Sequence, residues 1–220
     1  MSLWYKVLYE IGLTPWEVDP SSGPAAEQIA ALFDREEDGS DPPYGQALDL
    51  GCGSGIWSVR LAERGWQVTG VDVVPKAILK ARDRARASGV DVRFVQGDIA
   101  ALRAAGVESG FRFVLDFECF NHLDSTQRVA VGREVSAVAA HNATMLMLVW
   151  EPGRRGPLPS GASRGEIEAV FPEWEVVDEQ SYTATSTLPW WLKKAGLRFY
   201  RLCHVHPVGT ARKDDESGDS

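Results

Sequence analysis

Apolar and polar positions along the chain alternate between two rhythms. Short apolar runs occur at 46–50 (QALDL), 66–72, 92–98, 111–117, 144–150, 174–180 and 197–205. Each is bounded by Gly, Pro, Asp or Asn, which predicts strands. Between them, apolar residues recur every three or four positions over 54–64, 76–88, 125–140 and 164–171, which predicts helices. The earlier segment 25–33 (AAEQIAALF) has the same helical spacing. Residues 34–45 (DREEDGSDPPYG) follow it and read as a polar, turn-rich connection. Gly65 and Gly89 fall where helices would end in a left-handed residue. Ser163 and Glu166 have the spacing of a capping box.

Alternating strand and helix with short links predicts an α/β fold. The expected architecture is a doubly wound, mostly parallel seven-stranded sheet. The last two strands are separated mainly by a segment containing Pro189-Trp190-Trp191-Leu192, so the final strand is expected to insert antiparallel. Three segments follow: a leader and linker (1–45), the sheet domain (46–208), and a polar tail (209–220, GTARKDDESGDS) expected to be disordered.

Composition narrows the partners. Formal net charge is −8 without a long basic run, which argues against a nucleic-acid backbone or an anionic membrane as main partner. Cys52, Cys119 and Cys203 match neither a zinc spacing nor a disulfide framework. They read as reduced thiols, and no metal site is expected. No apolar run approaches a membrane span and no signal peptide is evident, so a cytoplasmic location is expected.

The chemistry concentrates in LDLGCGSG, residues 48–55, where a strand runs into three glycines. The turn lacks the lysine and spacing of a triphosphate loop. Gly51 and Gly53 suit a dinucleotide turn, but the third glycine stands at 55 and Ile56 occupies its usual place. Asp49, just before the turn, is expected to be ionised at neutral pH. Its charge would repel a pyrophosphate and attract a cationic group. Asp72 ends the second strand, 21 positions after Gly51, where nucleoside-binding α/β folds hold a ribose. Asp98 ends the third strand within Gly97-Asp98-Ile99.

These residues, Asp49-Leu50-Gly51-Cys52-Gly53-Ser54-Gly55 above all, resemble the first motif of class I S-adenosylmethionine-dependent methyltransferases. The resemblance covers roughly residues 4–205 and implies a Rossmann-like methyltransferase fold. It implies S-adenosylmethionine as cofactor and S-adenosylhomocysteine as product. The implied cofactor contacts are Asp49, Leu50, Gly51, Cys52, Gly53 and Gly55 in the turn, and Asp72 and Val73 at the ribose. Asp98 would take the adenine amino group with Ile99 against the ring, and Asp116 and Phe117 would lie beside the methyl donor. Residues 4–19, with Thr14-Pro15-Trp16-Glu17, resemble the leader of thiopurine- and heterocycle-type members, which makes Trp16 a lid contact.

The fourth strand runs into Asp116-Phe117-Glu118-Cys119-Phe120-Asn121-His122-Leu123, where related small-molecule enzymes resemble D-x-G-x-F-H-x-L. Here Glu118 stands where a small residue is usual. His122 is the foremost base or orienting group for the acceptor, with Asn121 beside it. Asp41-Pro42-Pro43-Tyr44 looks like an amino-methyltransferase motif, but no strand precedes it, and it reads as a linker turn. His204 and His206 share a strand face without completing a metal site. Arg154 and Arg155 sit in a Gly/Pro-rich loop suited to covering a substrate.

The expected reaction is methyl transfer to oxygen, sulfur or nitrogen of a small aromatic or heterocyclic acceptor, by a monomer or homodimer. The alternatives are a nicotinamide-dependent oxidoreductase, which would keep Asp72, and a non-catalytic nucleoside-binding protein.

Overall fold

The computed structural model describes residues 23–153, 160–182 and 196–205. Trp16 and the leader, Arg154 and Arg155, the Trp190–Trp191 pair, His206 and the tail at 209–220 lie outside the described residues.

The elements follow the apolar rhythm closely. In chain order they are α1 (Pro24–Glu37), β1 (Gln46–Leu50), α2 (Ile56–Arg64), β2 (Gln67–Asp72), α3 (Pro75–Ser88), β3 (Val92–Gln96), β4 (Phe111–Phe117), α4 (Ser125–Val138), β5 (Ala139–Trp150), α5 (Arg164–Val170), β6 (Trp174–Ser181) and β7 (Leu197–His204). Short 3₁₀ turns follow β3 (Ile99–Ala101) and β4 (Cys119–His122). The seven strands form one sheet in the order β3-β2-β1-β4-β5-β7-β6. Pairing is parallel from β3 through β5, and β7 inserts antiparallel between β5 and β6.

Both faces of the sheet are covered, which is why β1 and β4 read as nearly unbroken apolar runs. On one face, Val131, Val135 and Val138 of α4 and Ile167 of α5 pack against Leu48, Val114, Met145 and Met147. On the other, Ile29 and Phe33 of α1 and Trp57 and Leu61 of α2 pack against Ala47, Phe113, Leu115 and Leu146. Gly65 and Gly89 end α2 and α3 in left-handed geometry, and Ser163 with Glu166 closes the capping box on α5. Asp124 and Gln127 form a second such box on α4.

Two boundaries differ from the sequence reading. Helix α1 continues through Asp34-Arg35-Glu36-Glu37, four residues expected in the connection. These acids oppose the dipole at a helix C-terminus, but each of the last two meets a distant arginine. Arg64 donates to Glu37 at 2.7 Å, and Arg201 donates to Glu36 at 2.6 Å, with Thr144 donating to the same carboxylate at 2.6 Å. Strand β5 begins at Ala139 rather than 144. Ala139 pairs with Phe111, so sheet pairing overrides the helix-forming character of its alanines. A register shift between Phe111 and Phe113 and a left-handed Asn142 (φ 57°) accommodate the extra length.

The strand order fixes where a ligand binds. From β1 the chain winds outward through β2 and β3, then returns to β4 on the other side of β1. Such a switch point opens a crevice at the carboxyl ends of the strands.

Candidate cofactor cleft and acceptor edge

At that switch point the backbone after β1 turns through three left-handed glycines, Gly51 (φ 67°), Gly53 (φ 53°) and Gly55 (φ 78°). The need for glycine is steric as well as conformational. A Cβ on Gly51 would stand 2.4 Å from the Cys119 sulfur, and one on Gly55 would stand 2.9 Å from Ala81 Cβ of α3. The glycine at 55 therefore seats α2 against α3.

Asp72 braces the turn. Its Oδ2 accepts from the Gly53 N–H at 3.0 Å, and its Oδ1 accepts from the Val74 N–H at 2.8 Å. A carboxylate offers about four acceptor sites, more than these two bonds use. The Cys52 N–H adds a bond to the Val71 carbonyl at 3.0 Å, so the turn is fastened to the end of β2. Asp98 caps the 3₁₀ turn after β3 by accepting from the Ala100 N–H at 2.9 Å.

A cleft at this edge is lined by Gly51, Asp72, Val73, Gly97, Asp98, Ile99, Cys119, Leu123 and Gln127. Five of the expected cofactor residues thus share one wall: Gly51, Asp72, Val73, Asp98 and Ile99. Cys119, Leu123 and Gln127 join them without having been anticipated. The spacing of Leu123 and Gln127, on either side of the α4 cap, carries no signal of its own in the sequence.

The remaining expected contacts stand behind the wall or away from it. Leu50 and Cys52 are buried. Asp49 is 1% exposed, beneath the turn, and accepts from the Ser58 hydroxyl at 2.5 Å. The expectation that Asp49 is simply ionised at neutral pH needs correction. Burial, opposed by the Ser58 bond and reinforced by the charge of Asp72, pushes its carboxyl up to about 7. Asp116, expected beside the methyl donor, is 0% exposed and holds the turn after β4 by accepting from the Phe120 N–H at 3.0 Å. Phe117 turns to the opposite face of the sheet, stacked on Trp57 with ring centroids 4.3 Å apart.

Beyond the cleft, the 3₁₀ turn after β4 is latched to β5. Asn121 is 3% exposed, and its Oδ1 accepts from the Trp150 N–H at 3.0 Å. Its amide nitrogen has no hydrogen-bond partner, nor has Asp116 Oδ2. His122 is half-buried, and desolvation lowers its pKa to about 4. The imidazole is therefore neutral near pH 7 and too weakly basic to hold a proton there. Glu118 is in left-handed backbone geometry (φ 71°), which its sequence identity gave no reason to expect.

Electrostatically, the strand ends form an acidic network. Burial raises Asp116 and Glu118, like Asp49, to about 7. The charges of Asp49 and Glu118 add to the rise at Asp116, as Asp72 does at Asp49. Burial, then the neighbouring acids, also push the Cys52 and Cys119 thiols well above their ordinary range, which keeps them protonated. Such a site disfavours further anions and gains from a cation. Among the described residues no cluster of His, Cys, Asp and Glu could hold a metal ion. Nor is any described helix long and apolar enough to cross a membrane.

A glycine turn, successive acids at or just past strand ends and a cleft at the switch point of an open sheet define a Rossmann-like domain with a candidate ligand site. Residues 47–142 match the family model described as "Methyltransferase domain". The chain is 29% identical over 173 residues to 2-heptyl-1-hydroxyquinolin-4(1H)-one methyltransferase of Mycobacteroides abscessus, covering 76% of this chain and 70% of that protein. It is 38% identical over 98 residues to ubiquinone biosynthesis O-methyltransferase of Cereibacter sphaeroides, a match spanning 44% of this chain and only 39% of that relative's length. Its fold resembles N-methyltransferase NodS of Bradyrhizobium japonicum in complex with S-adenosyl-L-homocysteine, with TM-score 0.71, 18% identity, and coverage of 92% of this chain and 98% of that one. Over residues 47–142 the chain is thus similar to methyltransferase domains, and its fold is the Rossmann-like one of these proteins.

Proposed function

We propose that this chain methylates a hydroxyl on a small aromatic or heterocyclic molecule, with S-adenosylmethionine held in the cleft at the carboxyl ends of β1 to β4. The observation that carries the cofactor assignment is the acidic network around a glycine turn that lacks the lysine of a triphosphate loop. When bound, S-adenosylmethionine supplies a methyl group on a cationic sulfonium. In this reading its amino-acid arm lies along the Gly51–Gly55 turn, and Asp49 favours the ammonium from beneath, directly or through water. Asp72 accepts from the ribose hydroxyls, and Val73, Asp98 and Ile99 receive the adenine.

Transfer from such a donor needs alignment and exclusion of water more than acid catalysis. Asn121 contributes by fixing the turn after β4 to β5, as a positioning residue. His122, neutral at physiological pH, orients the acceptor by hydrogen bonding. The hydroxyl is favoured over sulfur or nitrogen because the ubiquinone-biosynthesis relative is an O-methyltransferase and the other relative acts on a hydroxyquinolinone. Screening phenols, hydroxyquinolines, aromatic thiols and heterocyclic amines for release of S-adenosylhomocysteine tests the reading. Turnover confined to thiols or amines would refute the acceptor class. Binding of the cofactor without turnover on any member would leave a nucleoside-binding protein in its place.

A further inference from the structure

Glu118 occupies an improbable backbone position. With φ 71° and ψ −1° it sits in the left-handed region, where a glycine rests without strain and a glutamate does not. Among the described residues only Asn142 shares this feature without being glycine, and asparagine visits the region readily. Nothing about the turn requires a side chain here, because the backbone does the turning: the Glu118 N–H donates to the Leu148 carbonyl at 3.1 Å. Strain of this kind clusters where a side chain is held for chemistry.

The place of the side chain fits that view. Glu118 directly precedes Cys119, whose sulfur closes over Gly51 and lines the cofactor cleft. Its carboxylate accepts from the Trp150 side chain at the end of β5, and Tyr182, just past β6, feels its charge. Tyr182 meets Phe199 edge-on at 5.3 Å. The ionisable groups facing it are Asp116 from β4 and Tyr182 from the end of β6.

We propose that Glu118 is the general base of the transfer, accepting the proton of an acceptor hydroxyl bound between the end of β4 and the Trp150–Tyr182 edge. The proposal rests on the hydroxyl-acceptor reading above. As the acceptor oxygen forms its bond to the methyl carbon, its proton passes to the Glu118 carboxylate. The carbon–sulfur bond breaks, and its electron pair goes to sulfur. Glu118 then returns the proton to water. Burial pushes the Glu118 carboxyl up to about 7, close to the operating pH, which is where a base is most effective. His122, lowered to about 4, is poorly matched to that task.

Glu118→Gln keeps the shape and an acceptor for Trp150 but cannot take a proton. Glu118→Gly removes the carboxylate and relieves the backbone. Methylation of phenol and of 4-nitrophenol, which is largely ionised at pH 8, separates the base from mere packing. Both variants should lose about 10²-fold in kcat with phenol, change little with 4-nitrophenol, and bind S-adenosylhomocysteine like wild type. Glu118→Gly should melt no lower than wild type. Infrared difference titration reads the carboxyl without turnover: the acid carbonyl absorbance that titrates near pH 7, shared with Asp49 and Asp116, should lose one component in Glu118→Gln. Equal losses on both phenols, no loss on phenol, or an unchanged carbonyl absorbance overturns the role of Glu118. Turnover of neither phenol by wild type, with cofactor binding intact, sinks the hydroxyl-acceptor reading itself.

Discussion

Replacing Asp49 by Asn should abolish the pH dependence of stability that this buried acid imposes. The carboxyl sits 1% exposed beneath the glycine turn and is raised from 3.8 to about 7, chiefly by burial. A carboxyl with a higher pKa in the folded state binds more protons folded than unfolded between about pH 4 and pH 7. Stability therefore falls as pH rises through that window and is flat above it. At about 1.4 kcal/mol per pKa unit, the whole rise corresponds to roughly 4 kcal/mol, which is a ceiling because structure and water relax around a buried charge. The neutral Asn cannot ionise, and its carbonyl can still accept from the Ser58 hydroxyl. Its amide group adds donors that cost about 1–2 kcal/mol at every pH, so the comparison must be made across pH. Urea unfolding followed by tryptophan fluorescence at pH 5, 6, 7 and 8 gives the difference between the two proteins. Asp49→Asn should gain on wild type by about 1–3 kcal/mol between pH 5 and pH 8, while Asp116 and Glu118, common to both, largely cancel. A difference constant to within about 0.5 kcal/mol over that range would refute the buried-acid account.

Glu36→Ala should destabilise the fold by about 2–4 kcal/mol, because it leaves Arg201 without its buried partner and Thr144 without its acceptor. Chemical denaturation at pH 7 measures it, and a loss below about 0.5 kcal/mol would show that the end of α1 is not held by this pair. Gly51→Ala places a Cβ 2.4 Å from the Cys119 sulfur in a backbone with φ +67°. It should lower thermal stability by an amount equivalent to about 1–2 kcal/mol and weaken cofactor binding at least about tenfold. An unchanged melting temperature and affinity would contradict the packing described here.

Sequence patterning revealed what depends on local apolar rhythm. Strands β1 and β4 were legible to the residue because both faces are covered, so every position carries an apolar signature. The antiparallel β7 was legible from the closeness of the last two apolar runs along the chain. The last turn of α1 was not, since Asp34-Arg35-Glu36-Glu37 reads as a polar linker. Its partners Arg64 and Arg201 lie 27 and 165 residues away from the acids they hold. The cleft wall was legible where an acid stands at or just past a strand end, at Asp72 and Asp98. Its depth was not: nothing in the sequence distinguishes Asp72, on the cleft, from Asp49, buried beneath it. Asp116 was expected beside the methyl donor from the family resemblance, yet its carboxyl is fully buried and closes the turn after β4. The left-handed backbone of Glu118 was marked only by the family resemblance, which has a glycine at that place; glutamate itself does not mark such geometry.

The most direct test of the central claim is calorimetric titration of the purified chain with S-adenosylhomocysteine, alongside its Asp72→Ala variant. Wild type should bind one equivalent. Asp72→Ala should bind about 10–100-fold more weakly, as loss of a charged hydrogen-bond acceptor at the ribose requires, and should remain folded. No heat from wild type at high micromolar ligand, or equal affinity for both proteins, would contradict a nucleoside site built on the end of β2.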